Sequence, residues 1–240
     1  MSSEPALVVA LDVPSTADLH QVLSQMPSDV EWFKVGLELF TAEGPSALEP
    51  LKTRRARIFL DLKLHDIPRT VARSVRSAAR YGVQMLTIHA SGGRAMVRAA
   101  AEAAQEFGTA RPRIVAVTAL TSLSDVDLVD LGIKRSMQQQ VLALGRLALE
   151  SGADGLVCSP LEVEWLRREF GPEPLLVTPG IRAAGETRGD QQRTLSAAEA
   201  TRAGSTHVVV GRPILEASDP HAAALRILEE IRGARRLLDD

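Results

Sequence analysis

The sequence predicts an α/β fold, a (β/α)8 TIM barrel formed as a single domain over residues 1–240. Three observations carry that expectation. Eight short apolar, β-branched runs recur along the chain. Longer amphipathic stretches separate them, several ending at glycine. No low-complexity linker or composition break interrupts the alternation. A doubly wound open sheet is the alternative for the same pattern.

The first run is "ALVVALDV" (6–13), followed by "PSTADLHQVLSQM" (14–26), which offers capping chemistry at Ser15 or Thr16. The second run is "WFKVGLEL" (32–39) and the third "ARIFLDLKL" (56–64). "RTVARSVRSAARYG" (69–82) then spaces Val71, Val75 and Ala78 at helical intervals and stops at Gly82. "MLTIHA" (85–90) precedes a helix-like "GRAMVRAAAEAAQEFG" (93–108), and "RIVAVTAL" (113–120) precedes "SMQQQVLALGRLALESG" (136–152). "GLVCSP" (155–160), "LLVTPGI" (175–181) and "HVVVGRPI" (207–214) complete the strands, and "DPHAAALRILEEIRGARRL" (219–237) closes as a helix. Near-continuous apolar runs are what parallel strands covered on both faces require.

With 240 residues, 45% of them apolar, the chain can bury a substantial core. Lys plus Arg total 28 against 30 Asp plus Glu, a formal charge of −2. That balance argues against a nucleic-acid partner and leaves room for a small basic pocket. Cys158 is the single cysteine, so no intramolecular disulfide can form. Its apolar surroundings make it a small buried hydrophobe, in keeping with a reducing compartment. "MSSEPALVVALDV" has neither a basic region nor a long apolar run, so no secretory signal or anchor is expected there. No stretch approaches the length of a membrane span. A cytoplasmic protein with no membrane partner is expected.

Function in such a barrel belongs at the carboxyl ends of the strands. The polar residues there are Asp12, Lys34, Asp61, Lys63, Asp66, His89, Thr118, Thr121, Ser159, Thr178, Arg182 and Arg212. Charge concentrates on the first three strands. In "FLDLKLHDIP" (59–68) the period of two puts Asp61 and Lys63 on one face and Leu60, Leu62 and Leu64 on the other. Asp66 follows the strand, and the period does not fix its direction. Flanking carboxylates favour the ammonium form of lysine, which suits a general acid better than a Schiff-base nucleophile. A structural ion pair at a barrel end is the alternative. It weakens because Asp12 and Lys34 would reach the same rim from neighbouring strands. Two Asp and two Lys are costly to desolvate together, and such arrangements serve electrostatic preorganisation more than stability.

"VTPGIR" (177–182) and "VVVGRPI" (208–214) each end a strand with glycine followed closely by arginine. Loops after strands seven and eight commonly hold a phosphate in this architecture. Glycine admits the backbone closely, and Arg212 can add a bidentate contact. An ordinary surface turn is the other reading of "GRP". "AAGETRGDQQR" (183–193) suits a closing lid or a passive surface loop. His89 either faces the site or is held by backbone at a strand end.

These residues resemble the orotidine 5′-phosphate decarboxylase family over almost the whole chain. The resemblance runs through "VALDV", "FKVGLELF", "FLDLKLHDIPRTV", "HASGG", "TALTS", "PGIR", "GDQQR" and "GRPI". It implies a decarboxylase that completes uridine monophosphate synthesis, with Lys63 protonating C6 as carbon dioxide leaves and Asp61 beside the substrate carboxylate. Asp66 would complete the charged array from the neighbouring subunit of a homodimer, and Thr70 would help bind the ribose across that interface. Lys34 and Asp12 would contact the ribose and the array, and Thr121 the pyrimidine. Ile67 and Pro179 would wall the base. Arg182, Gln191 or its neighbour Gln192, Gly211 and Arg212 would hold the phosphate, with 183–191 as the closing loop. No fingerprint for pyridoxal phosphate, thiamine diphosphate or a metal cluster is present, so neither cofactor nor metal is expected. Two other readings share parts of the pattern. One is a magnesium-dependent sugar-phosphate lyase, a hexulose-phosphate synthase or keto-gulonate-phosphate decarboxylase. The other is a non-catalytic barrel that binds nucleotide phosphates. Lys34 together with "HDIP" favours the nucleotide decarboxylase over the first, and the intact Asp61–Lys63–Asp66 set over the second.

Overall fold

Eight parallel strands close on themselves in chain order, each paired with its sequence neighbours and the last returning to the first. The computed structural model describes residues 5–181 and 195–239. The strands are β1 (Ala6–Ala10), β2 (Trp32–Val35), β3 (Arg57–Leu64), β4 (Met85–His89), β5 (Arg113–Val117), β6 (Gly155–Val157), β7 (Leu175–Thr178) and β8 (His207–Val210). The helices are α1 (Thr16–Gln25), α2 (Leu37–Glu43), α3 (Glu49–Thr53), α4 (Pro68–Arg80), α5 (Gly93–Gln105) and α6 (Asp125–Asp130). They continue with α7 (Met137–Glu150), α8 (Val163–Phe170), α9 (Ala197–Ala203), α10 (Arg212–Leu215) and α11 (Pro220–Asp239). The (β/α)8 barrel expected from the sequence is the observed architecture, and the open sheet is excluded by the β1–β8 pairing.

The apolar runs are continuous because each strand buries both faces. Val8, Ala10, Trp32, Phe59, Met85, Val115, Val177 and Val209 fill the barrel interior. Their strand neighbours Leu7, Val9, Phe33, Leu60, Leu86 and Val208 point the other way, into the layer beneath the helices. The helix signals also act as read. The Ser15 hydroxyl caps α1 by accepting the Asp18 N–H at 3.2 Å. Gly82 and Gly152 follow α4 and α7 with φ of +73° and +98°, a region where side chains are disfavoured. Among the described residues no helix is long and apolar enough to cross a membrane.

The runs differ from the strands at their ends. The run 32–39 divides at Gly36 into β2 and α2, and 207–214 divides at Gly211 into β8 and α10. Leu39 and Ile214 are fully buried, so apolar helix starts extend apolar strands with no change in hydropathy. The helices α2, α3, α6, α8 and α9 are too short or too irregular to register as long amphipathic stretches.

At the amino-terminal end of the barrel His207 lies buried, edge-on to Trp32 with ring centroids 5.0 Å apart. Its Nδ1 pairs with Thr206 Oγ1 at 2.9 Å. Burial, aided by the nearby Arg57 cation, pushes the imidazole pKa down to about 4.

Candidate active site

At the opposite, carboxyl end of the barrel four charged side chains form a line of alternating sign. Lys34 Nζ lies 2.8 Å from Asp12 Oδ1 and 3.8 Å from Asp61 Oδ2. The same Asp61 oxygen takes Lys63 Nζ at 2.8 Å. Lys34 and Asp61 are buried, Lys63 is half-buried and Asp12 is exposed at the rim. The middle of the line is therefore buried, and both of its ends lie where a ligand can reach them. Burying this much charge is poor value for stability, because desolvation offsets most of the Coulomb gain. The line sums to zero charge, which is what makes its burial tolerable.

Backbone geometry places these groups. Lys34 follows Trp32 by two residues and so shares its inward face. Gly36 follows by two more, and a Cβ there would sit 2.8 Å from Lys34 Nζ and 3.1 Å from Asp12 Oδ1. Only glycine leaves that ion pair its space. Asp61 continues the inward face of Phe59. Lys63 then departs from regular strand geometry, with φ +51°. A non-glycine residue held in this region costs about 1–3 kcal/mol and tends to sit where function needs it. The turn brings its ammonium onto Asp61. The fully buried Thr87 of β4 supports both groups, donating to Asp61 Oδ1 at 2.9 Å and accepting the Lys63 N–H at 2.8 Å.

The remaining candidates from the sequence are distributed around this line. Gly211 adjoins it, since a Cβ there would lie 3.6 Å from Asp12 Oδ2, and Arg212 follows exposed at the start of α10. Thr121 is half-buried in the turn after β5, and Pro179 is half-buried directly after β7. Asp66 is exposed and turns its Oδ1 back to the Ile67 N–H at 2.6 Å. Among the described residues Lys63 pairs with Asp61 and not with Asp66, so one chain supplies a single carboxylate to the lysine. Ile67 is 67% exposed and Thr70 is exposed beside it in the first turn of α4. Arg182, Gln191 and the loop 183–191 lie outside the described residues.

Two rim threonines are spent internally. Thr118 donates to the Val157 carbonyl at 3.3 Å, and Thr178 shares a 2.7 Å hydrogen bond with Ser205. His89 is half-buried, its ring 5.3 Å from that of His65, with no hydrogen bond to backbone among the described residues. Burial first, then electrostatic coupling to His65 and to the Lys63 ammonium, outweighs the opposing pull of Asp61 and lowers its pKa below the ordinary imidazole value. Among the described residues no group of three or more His, Cys, Asp or Glu is placed to hold a metal. Gly36 and Thr87 are the contributors that sequence reasoning missed. For Thr87 the signal was available: it lies two residues before His89, a polar side chain within an apolar run.

Residues 5–227 match the model of the Orotidine 5′-phosphate decarboxylase / HUMPS family. The chain is 48% identical over 236 residues to an orotidine 5′-phosphate decarboxylase of Moorella thermoacetica, covering 96% of this chain and 94% of the relative. It is 46% identical to one of Opitutus terrae, covering 95% and 98%. A crystal structure of orotidine 5′-phosphate decarboxylase from Lactobacillus acidophilus superimposes with a TM-score of 0.84 at 40% identity, covering 95% of this chain and 99% of that one.

Proposed function

The chain belongs to the Orotidine 5′-phosphate decarboxylase / HUMPS family, and from that premise we propose that it is a carboxy-lyase. Its reaction converts orotidine 5′-monophosphate to uridine 5′-monophosphate, the last step of that nucleotide's synthesis, without metal or cofactor. The observation that carries this reading is the unbroken line Asp12–Lys34–Asp61–Lys63 at the barrel mouth.

In the reaction the bond between C6 and the carboxylate breaks and its electron pair stays on C6. The Lys63 ammonium stabilises that negative charge and then gives C6 a proton, ending as an amine. Asp61 sets its charge against the substrate carboxylate, a repulsion relieved as carbon dioxide departs. One general acid supplies about 10²–10⁴-fold, roughly 3–5 kcal/mol. Enzymes lower barriers by about 8–23 kcal/mol. The difference falls to the fixed charges, which need no reorganisation as the anion forms, and to phosphate binding. Lys34 and Asp12 hold the ribose, Thr121 the pyrimidine and Pro179 one face of the base. Gly211 and Arg212 hold the phosphate, joined on the family resemblance by Arg182 and Gln191.

The working unit in this reading is a cytoplasmic homodimer of single-domain chains. Asp66, Ile67 and Thr70 are exposed in the isolated chain, where a second copy would receive them. Beside them runs a groove of about 480 Å³ lined by Phe40, Leu62, Leu64 and Tyr81, an apolar surface suited to that contact. Asp66 of each chain would then bring a second carboxylate to the other's Lys63, and Ile67 would wall the base.

The test is the ultraviolet assay of orotidine monophosphate loss, with and without chelator. Turnover that is indifferent to chelator is expected. Binding without turnover refutes the enzyme reading in favour of a nucleotide-phosphate-binding barrel. Turnover lost to chelator and restored by magnesium refutes cofactor independence.

A further inference from the structure

Between Leu60 and Leu64 the third strand advances four positions while β4 advances two, from Leu86 to Ile88. The ladder is interrupted there, and Lys63 sits in the interruption with its left-handed backbone. Its N–H has lost the carbonyl that a regular parallel strand would offer. Thr87, the β4 residue opposite the gap, is fully buried and takes that N–H on its hydroxyl oxygen at 2.8 Å.

The same hydroxyl has one proton to give. An ionised carboxylate only accepts, so the proton goes to Asp61 Oδ1 at 2.9 Å. Asp61 Oδ2 already faces Lys63 Nζ and Lys34 Nζ. The carboxylate torsion of aspartate is intrinsically broad, and ion pairing at one oxygen leaves the plane free to tilt. The Thr87 contact at the other oxygen removes that freedom. One buried oxygen thus fixes the backbone of the lysine and the plane of the carboxylate that aims its ammonium.

We propose that Thr87 is a positioning residue for the decarboxylation, acting through Lys63 and Asp61 without touching substrate. The proposal rests on the decarboxylase reading above. Thr87 changes no atom in the proton transfer. It holds the donor nitrogen where C6 will be, and a misplacement of about 1 Å at such a point costs on the order of 10²-fold in rate.

The test compares kcat, KM for orotidine monophosphate and the inhibition constant of uridine monophosphate in wild type, Thr87→Val and Thr87→Ser. Valine keeps the shape and removes the hydroxyl, whereas serine keeps the hydroxyl and removes a methyl. The expected result is a fall in kcat of about 10- to 1000-fold for T87V, with KM and product affinity within about threefold. T87S should stay within about threefold of wild type in all three. The inference is overturned if T87V retains kcat, if its loss appears in KM alone, or if T87S falls as far as T87V. Should T87V not fold, Thr87→Cys replaces it, carrying a weaker donor on a longer bond. A kcat for T87C about tenfold or more below T87S supports the role, and equal values overturn it. A wild type that does not decarboxylate refutes the underlying reading and this inference with it. An active wild type matched by T87V refutes the inference alone.

Discussion

Replacing Gly36 by alanine puts one methyl group against the ion pair between the first two strands. Its backbone, φ −97° and ψ −172°, is open to alanine, so the main chain is not strained. The new Cβ would lie 2.8 Å from Lys34 Nζ. Comfortable contact begins at about 3.5 Å, so the ammonium must retreat by roughly 0.7 Å. Lys34 is the far end of a flexible chain and can move, which keeps the stability cost to about 1 kcal/mol. That corresponds to a loss of about 2–4 °C in melting temperature for a chain this size. The electrostatic cost is larger, because the ammonium leaves its 2.8 Å contact with Asp12 and shifts relative to Asp61. A displacement of this order in a preorganised array lowers kcat/KM by about 10- to 100-fold. Steady-state kinetics on orotidine monophosphate beside a thermal melt measure both quantities. Kinetics within about threefold of wild type would refute the idea that this pair works as a placed charge. A fall of about 10 °C or more at unchanged kinetics would make it scaffold instead.

Lys63→Ala should lose nearly all turnover with the melting temperature close to wild type; a variant keeping more than about a tenth of kcat removes Lys63 from the chemistry. Arg212→Ala should raise KM for the phosphorylated substrate by about 10- to 100-fold, and an unchanged kcat/KM ends the phosphate assignment. His207 gives a pH prediction. Its folded pKa, about 4, lies below the ordinary 6.5, so the unfolded chain takes up a proton that the folded one refuses. The associated stability is complete above pH 6.5 and is lost as pH falls from there to about 4, by about 3 kcal/mol. Urea midpoints at pH 7.5 and 4.5 should diverge in wild type and much less in His207→Gln; parallel pH slopes for the two would contradict this.

The barrel was legible because its strands are dry on both faces, and a dry strand such as "HVVV" or "RIVAV" announces itself in hydropathy. Strand ends were not legible, since Leu39 and Ile214 belong to helices yet are as buried as the strands they follow. Asp12, Lys34, Asp61 and Lys63 stood out as charges where apolar residues would pack better. What could not be read is how they meet. Alternation put Asp61 and Lys63 on one face, but their 2.8 Å contact depends on a left-handed lysine that no glycine or asparagine signals. Thr87 stood out as a polar side chain within an apolar run, but its role did not, since its partners lie 26 and 24 residues away and meet it only across an interrupted ladder. Asp66 lies past the end of the strand, where the period fixes no direction, and its carboxylate turns to the N–H of its neighbour Ile67.

Asp12, Lys34, Asp61, Lys63 and Thr87 all belong to the first four strands and the turns beside them, whereas Gly211 and Arg212 follow the eighth strand, at the start of α10. The two sets meet at a single seam, where β8 pairs with β1 and Gly211 comes up against Asp12. A chain folded through its early strands alone would hold the charged line and lack Gly211 and Arg212, to which the proposed function gives the phosphate. If those two residues hold the phosphate as proposed, turnover becomes a reporter of ring closure, appearing once the last strand has found the first.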